Sequence, residues 1–195
     1  RGLERFSFPQ SPADMLQGHS TMLSNEYYQV KMGGDASLLK GVMKALIEMD
    51  EARILLGQEP CLDRAFLAEH THGYQELYDD LHRCSWAELE LDSGLSRSQM
   101  EDLADRYDKS NATIICYGLG ITQHKNGTEN VQQLVNLLLL KGNMGKKGAG
   151  ICPLRGHSNV QGDRSVGINE AASEAFLARL EGRFNISVSR KHGRS

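Results

Sequence analysis

The chain has 195 residues, 39% of them apolar and 24% charged, proportions of an ordinary globular protein that exclude global disorder. Its longest apolar candidate, Leu137 to Leu140, falls far short of the roughly 18 residues that a membrane helix needs, which excludes a helical membrane span. The net charge of −3 hides an asymmetry, with 12 acidic against 4 basic residues from Cys61 to Asp108 and 4 acidic against 10 basic from Lys141 to Ser195; the basic third could face an anion, but without interleaved aromatic residues it does not argue for nucleic acid, and no nucleic-acid partner is expected.

The first residues, Arg1-Gly-Leu-Glu-Arg-Phe, have no initiator Met and no signal-peptide design, so they read as a cut inside a longer protein. Through Pro9, Pro12 and Gly18 the chain lacks periodicity and is expected to be an irregular connector. Glu26-Tyr-Tyr-Gln-Val-Lys-Met is rich in strand formers and stops at Gly33-Gly34-Asp35, which predicts a strand running into a tight turn. Leu38, Leu39, Val42, Met43, Leu46 and Ile47 then recur at helical spacing, with Asp35 placed as the N-cap. Further helices are predicted around Asp63 to Glu69, Tyr74 to His82 and Ser96 to Tyr107, the last capped either by Ser98 with Glu101 or by Ser96.

Ala112-Thr-Ile-Ile-Cys-Tyr is a nearly continuous β-branched and apolar run, of the sort buried on both faces in a parallel sheet, and it ends at Gly118. Thr128 to Leu140 predicts a deeply buried helix, with Asn126 and Glu129 as a capping pair, and Lys141-Gly142 closes it with a cation against the helix dipole and a glycine for the left-handed turn. A last helix is expected to include Glu170 to Glu181, followed by a polar tail. Strands alternating with helices give an α/β class with a mostly parallel sheet, whose ligands sit beyond the carboxyl ends of the strands. Only two strands for so many helices imply that part of the sheet lies outside the chain, and the exposed strand edges would favour association, a homodimer included. The four cysteines, Cys61, Cys84, Cys116 and Cys152, form no C-x-x-C pair of the kind that builds zinc or iron–sulfur sites. Isolated thiols in a reducing, cytoplasmic compartment fit this spacing, with two disulfides as the alternative.

Ten of the 20 glycines fall between Gly118 and Gly167. Gly118-x-Gly120, directly after a buried strand, lets the backbone approach a ligand and exposes amides suited to phosphate. Gln123 replaces the third glycine of a dinucleotide fingerprint and the next helix starts late, so a plain structural turn competes with a nicotinamide or flavin site. At the loop apex, Gln123 could hydrogen-bond a heterocycle edge and His124 could donate to an anion; two solvated loop residues are the alternative. Gly142 to Gly150 is too glycine-rich for regular structure; its Lys146-Lys147 would favour an anion, and a flexible surface loop is again the alternative. Pro153 to Gly162 then collects Arg155, His157, Ser158, Asn159 and Gln161 around Gly156. So many planar donors and acceptors on little bulk suit a polar, many-ringed ligand or a small carboxylate, and are hard to explain as packing.

Four linked motifs, Tyr117-Gly-Leu-Gly-Ile-Thr-Gln-His-x-x-Gly127, Asn136-Leu-Leu-Leu-Leu-x-Gly-Asn-Met-Gly145, Gly148-x-Gly150 and Pro153-Leu-Arg-Gly-x-x-Asn-Val-Gln-Gly162, together resemble the alpha subunit of molybdopterin-dependent formate dehydrogenases. The likeness is greatest to formate dehydrogenase-like oxidoreductases of unassigned substrate, strongest from Gly118 to Gly167 and looser back to Arg1. The resemblance implies a Rossmann-like three-layer domain, partial here over residues 1–157, in a larger multidomain molybdopterin oxidoreductase; residues 158–195 would begin an adjoining domain or form a C-terminal helical extension. It implies two-electron oxidation of formate or a related small substrate by a molybdenum or tungsten ion, held in the parent as Mo-bis(molybdopterin guanine dinucleotide). The parent would also carry a 4Fe-4S cluster that this chain does not ligate.

By the matching motifs, Gly118, Gly120 and Gln123 would line the pterin and pyrophosphate. Gly33, Gly34 and Asp35 are secondary candidates for the same ligand, and Gly156, Asn159 and Gln161 would add contacts. Arg155 falls where the family places an arginine beside the metal, to hold a substrate carboxylate and favour the transition state of C–H cleavage. His157 stands where formate dehydrogenases usually carry glutamine; an imidazole still donates to an oxyanion but titrates near neutral pH, which separates the chain from strict formate specificity. The metal-ligating cysteine or selenocysteine and the cluster cysteines would lie N-terminal to Arg1 in the parent, so no metal ligand is expected here. The implied partners are the rest of the parent alpha subunit and a small-molecule substrate. Two readings compete: a non-catalytic binding or interaction module that keeps the fold, and a nicotinamide-binding domain, for which Glu51 and Glu59 are poorly placed to grip a ribose.

Overall fold

The computed structural model describes residues 5–6, 10, 12–18, 20–157, 159–168 and 172–188. The chain divides into two compact units, Arg1–Leu154 and Arg155–Ser195. The first opens with two short antiparallel strands, β1 (Arg5–Phe6) and β2 (Thr21–Met22), separated in the chain by helix α1 (Pro12–Leu16). Five helices follow: α2 (Asp35–Leu55), α3 (Arg64–His70), α4 (Tyr74–Arg83), α5 (Trp86–Ser93) and α6 (Arg97–Lys109). Strand β3 (Ile114–Tyr117) then leads through α7 (Leu119–Thr122) and α8 (Gly127–Leu140) to β4 (Gly150–Pro153), which pairs with β3 in parallel. The second unit holds α9 (Val160–Ser165) and α10 (Glu174–Phe184). The architecture is mostly helical with a small parallel two-stranded sheet, compatible with an α/β fold. No helix among the described residues is long and apolar enough to cross a membrane.

Helix α2 is the centre of the first unit. The unbroken run from Gly41 to Ile47 is buried, as is Asp50, so this helix has no solvent face along its middle. Helices α4, α5, α6 and α8 all pack on it. Gly41 makes room for α6, since a Cβ there would lie 2.0 Å from the Met100 sulfur. The two buried charges are partnered: the Lys44 amine donates to the Leu81 carbonyl at 3.0 Å and lies 3.6 Å from Glu48, and Asp50 accepts from the Leu62 amide at 3.0 Å and from Arg64. Left unpaired, either group would cost more than the packing around it returns.

Several sequence expectations change. Glu26 to Lys31 forms no ladder and Met32 already belongs to the turn at Gly33; the partners of this segment are helix groups, the Lys31 amide donating to the Ser93 carbonyl at 2.8 Å and Tyr28 to Asp102. Gly34, rather than Asp35, is the N-cap of α2, and Asp35 sits in the first turn, where its charge complements the helix dipole. Ser96 caps α6, and the Gln99 side chain completes the capping box by accepting from the Ser96 amide at 2.9 Å. Helix α5 was not expected, although Ser85 and Glu88 form the same kind of box at its start. Asn126 is the N-cap of α8 but makes no side-chain cap bond. Strand β3 is covered on one face only: Ile115 and Tyr117 pack against the core, while Ile114 is 56% exposed. Pro9 of the expected connector and Glu170 and Ala171 of the expected last helix lie outside the described residues, as does the end of the tail.

One corner joins three helices. Asp108 at the end of α6 accepts from Arg53 of α2 at 2.5 Å, and Lys141 after α8 reaches both its backbone carbonyl and, at 3.3 Å, its carboxylate. Lys141 thus serves the C-terminus of α6 rather than that of its own helix. Burial disfavours the Asp108 carboxylate, but the Arg53 hydrogen bond and the two cations outweigh it and hold its pKa below the usual value. A depressed carboxylate pKa contributes stability that is complete above the unfolded value, about 3.9, and is lost as pH falls through the folded one. Asp108→Asn should therefore cost about 2 kcal/mol at pH 7, and the gap between wild type and variant should close below about pH 4. Urea denaturation midpoints measured across pH 2 to 7 test this; a gap that persists unchanged at the acid end would contradict it.

Candidate functional site

The best-defined candidate is the turn at the carboxyl end of β3. Gly118 is extended (φ −131°, ψ −154°) and the chain then coils directly into α7. Backbone bonds fix that coil, with the Ile121 amide donating to the Gly118 carbonyl at 3.1 Å and the Gln123 amide to the Leu119 carbonyl at 2.9 Å. From behind, the Asn130 side chain on α8 donates to the Ile121 carbonyl at 3.1 Å. On the other side the Leu154 amide donates to the Tyr117 carbonyl at 2.7 Å, extending the ladder to the end of the unit. Gly118, Gly120 and Gln123 are thereby brought together on one short, well-anchored turn, with Gly120 and Gln123 exposed. The long helix α8 does start late, at Gly127, and the four residues of α7 fill the interval after Gly118.

The glycines of this region fall into two kinds. Gly145, Gly148 and Gly150 have positive φ values of 75°, 80° and 133°, which disfavour any side chain. Gly127 and Gly142 are crowded, since a Cβ would lie 2.2 Å from the Thr122 carbonyl oxygen and 2.6 Å from Asp63 Oδ2 respectively. Gly118, Gly120 and Gly156 have neither reason. Their φ values are not in the left-handed region, and among the described residues a Cβ would meet nothing nearer than 4.0 Å. By the sign of φ and the room for a Cβ, none of the three has to be glycine.

The remaining candidates are distributed. Gly33 (φ 80°) and Gly34 form the turn into α2, and Gly34 is explained internally: a Cβ would lie 2.4 Å from the Asp92 carbonyl oxygen and 2.8 Å from Ser93 Cα. Asp35 follows on the first turn of α2. Arg155, Gly156, His157, Asn159 and Gln161 belong to the second unit, and all five are exposed. Arg155 and His157 have no hydrogen-bond or ion-pair partner among the described residues; Ser158 lies outside them. Asn159 is the N-cap of α9, its Oδ1 accepting from the Gly162 amide at 3.1 Å, so its amide nitrogen keeps its donors. The structure therefore groups the glycine turn in one unit and the arginine segment in the other.

A cleft of about 370 Å³ lies elsewhere in the first unit, bordered by Arg53, Cys61, Asp63, Asp108, Lys141 and Lys146. Its cations are already engaged, Arg53 and Lys141 by Asp108 and Lys146 by the Asn111 carbonyl. Burial, with the Asp108 charge, pushes the Cys61 thiol up to about 11, which leaves it protonated and unreactive. Among the described residues no three or more His, Cys, Asp or Glu side chains are grouped so as to hold a metal ion.

No family model matches the chain. It is 57% identical over 187 residues to Protein YdeP of Escherichia coli (strain K12), covering 96% of this chain and 25% of that protein. An uncharacterized oxidoreductase of Mycobacterium bovis is 38% identical over 197 residues, 98% of this chain and 24% of that protein. A Staphylococcus aureus (strain USA300) protein named "Putative formate dehydrogenase" is 30% identical over 179 residues, 88% of this chain and 17% of that protein. The chain thus spans about a quarter or less of the length of these curated relatives. Two of these three relatives carry the name of an oxidoreductase, one of them that of a formate dehydrogenase; the name of the first states no activity.

The contrast between glycines is testable. Gly34→Ala forces a methyl group against rigid backbone and should destabilise the chain by about 1–3 kcal/mol. Gly120→Ala, exposed in a helical turn, should leave stability unchanged or raise it by up to about 1 kcal/mol. Chemical denaturation of the two variants decides; equal destabilisation would mean that Gly120 is held by packing after all.

Proposed function

We propose that this chain is the dinucleotide-binding part of a molybdenum or tungsten bis-pterin oxidoreductase of formate dehydrogenase type. In this reading residues 1–157 belong to a Rossmann-like three-layer domain completed by the rest of the parent subunit, and residues 158–195 begin an adjoining domain or a helical extension. The observation that carries it is the set of glycines at 118, 120 and 156, for which the chain itself supplies no need. A backbone kept bare on its open side suits a flat, phosphate-bearing ligand lying against main-chain amides. The names of the mycobacterial and staphylococcal relatives support an oxidoreductase.

The proposed roles follow from what each group can do. Gly118 and Gly120 admit the pterin and pyrophosphate to the backbone, and Gln123 offers an exposed amide to a heterocycle edge. Gly156, Asn159 and Gln161 add polar contacts, Asn159 through its amide nitrogen. Gly33, Gly34 and Asp35 are secondary in this scheme, Gly34 having an internal reason to be glycine. When bound, the cofactor supplies the two-electron exchange with the substrate. The guanidinium of Arg155, unpaired among the described residues, holds the substrate carboxylate through paired N–H donors and fixes its orientation. His157 donates to the same oxyanion through a ring N–H. The substrate is formate or a related small carboxylate, and the 4Fe-4S cluster of the parent is ligated outside this chain.

The test is the metal and pterin content of the full-length parent made in a cofactor-competent host. About one molybdenum or tungsten per parent subunit, with pterin, is expected; a metal-free and pterin-free preparation would overturn the reading. In that parent, Arg155→Ala should lower turnover by about 10²–10³-fold while leaving cofactor loading intact. Unchanged turnover would remove Arg155 from substrate binding.

A further inference from the structure

The parallel register of the sheet pairs Ile114 with Gly150, Ile115 with Ile151, Cys116 with Cys152 and Tyr117 with Pro153. Two cysteines 36 positions apart in the chain are therefore direct neighbours across one ladder. Adjacent strands lie about 4.8 Å apart, inside the roughly 4.4–6.8 Å Cα separation that a disulfide spans. Paired residues of a parallel ladder project to the same face. That face is the outer one, because the alternate residues Ile115, Tyr117 and Ile151 pack against the core. Consistently, Cys116 is exposed and Cys152 half-buried. Cys61, by contrast, is buried.

We propose that Cys116 and Cys152 form a dithiol site that closes reversibly into a cross-strand disulfide by exchange with a low-molecular-weight disulfide. The Cys116 thiol gives up its proton to solvent and its sulfur attacks one sulfur of the small disulfide, expelling one thiolate, which takes up a proton. The Cys152 thiol then gives up its proton to solvent, its sulfur attacks the Cys116 sulfur of the mixed disulfide, and the second small thiolate leaves and takes up a proton. Two protein thiols are oxidised by two electrons and one small disulfide is reduced to two thiols. The exposed Cys116 is the natural point of first attack and Cys152 the resolving partner.

Local desolvation on the ladder, and then the Cys152 thiol beside it, raise the pKa of Cys116 although its residue is exposed, so the exchange should accelerate as pH rises. The bond would join the penultimate residues of β3 and β4, two positions before Gly118 and two before Leu154. The site holds whether or not the dinucleotide reading does, since it rests on the strand register alone.

The folded chain is incubated with excess glutathione disulfide at mildly alkaline pH, the remaining thiols are blocked, and the protein is digested with trypsin for mass spectrometry. Free thiols should fall from the four present in the reduced chain to two, with a loss of two hydrogens and a linked pair of peptides, Ser110 to Lys125 with Gly148 to Arg155, that a reductant separates. Cys152→Ser should instead accumulate glutathione on Cys116, and Cys116→Ser should abolish the linkage, both variants keeping the circular dichroism of the parent chain. The proposal is overturned if wild type accumulates glutathione on Cys116 with Cys152 still free, if Cys116 and Cys152 link only in denaturant, or if no linkage forms.

Discussion

A helix buried around its whole circumference dictates much of what surrounds it. From Gly41 to Ile47, α2 offers no residue to solvent, so the chain must supply a helix for each side of it, and α4, α5, α6 and α8 do so. Fully burying Val42, Met43, Leu46 and Ile47 contributes about 1.5–3 kcal/mol apiece. That gain is available only if Lys44 and Asp50, caught in the same interior, find partners. They find them in the Leu81 carbonyl on one side and the Leu62 amide with Arg64 on the other. The partners come from the segments that wrap α2, so the charges fix how those segments are threaded as well as tolerating burial.

This arrangement reaches the candidate site through α8. Its inner face packs on α2, and its first turns carry Asn130, whose side chain holds the Ile121 carbonyl behind the glycine turn. At its far end, the Tyr107 hydroxyl donates to the Leu137 carbonyl at 2.8 Å and accepts from the Asn143 amide at 2.9 Å. Burial pushes that phenol up to about 12, so it stays a donor at any ordinary pH. Together with the Arg53–Asp108–Lys141 corner, these bonds set the end of α6 against the end of α8, and β3 begins a few residues beyond. The turn at Gly118 is thus positioned at both ends by helices whose own places are set by α2. Asn143 Oδ1, fully buried without a partner among the described residues, marks where this corner is least satisfied.

The long helices were legible because their signals are local. Periodicity marked α2, α6 and α8, and Gly142, with φ 58°, marked the end of α8, while the start of α6 was left open between Ser98 and Ser96 until the Ser96–Gln99 box settled it. What failed were inferences that depend on neighbours. Tyr27, Tyr28 and Val30 have the composition of a strand, but an extended segment becomes one only beside another edge, and here Ser93 and Asp102 take its hydrogen bonds instead. Helix α5 was missed although Ser85-x-x-Glu88 announces it, because its acidic, weakly periodic sequence looks like a solvated connector. Strand β4 was hidden by the glycines that precede it, and with it the adjacency of Cys116 and Cys152. Register across a crossover leaves no trace in spacing, so those cysteines read as scattered.

The candidate site was partly legible in the same sense. Glycine density located it, yet density cannot separate glycines that the chain needs from glycines that something else needs. Three physical tests separate them: the sign of φ, the room for a Cβ, and the identity of the atom that would be struck. Gly34 strikes rigid backbone, Gly142 strikes Asp63 with φ at 58°, and Gly148 turns left-handed in open space. Each is accounted for within the chain. Gly118, Gly120 and Gly156 pass all three tests without finding a reason, and two of them flank a turn that hydrogen bonds hold from both sides. A rigid turn with an undemanded bare backbone is what close approach by a ligand requires, because flexibility would lose the geometry and a methyl group would lose the contact. That is why the case for a bound cofactor rests on Gly118 and Gly120 more firmly than on Gly33 and Gly34: the resemblance already put the latter pair second, and φ at Gly33 and the crowding at Gly34 supply the physical reason.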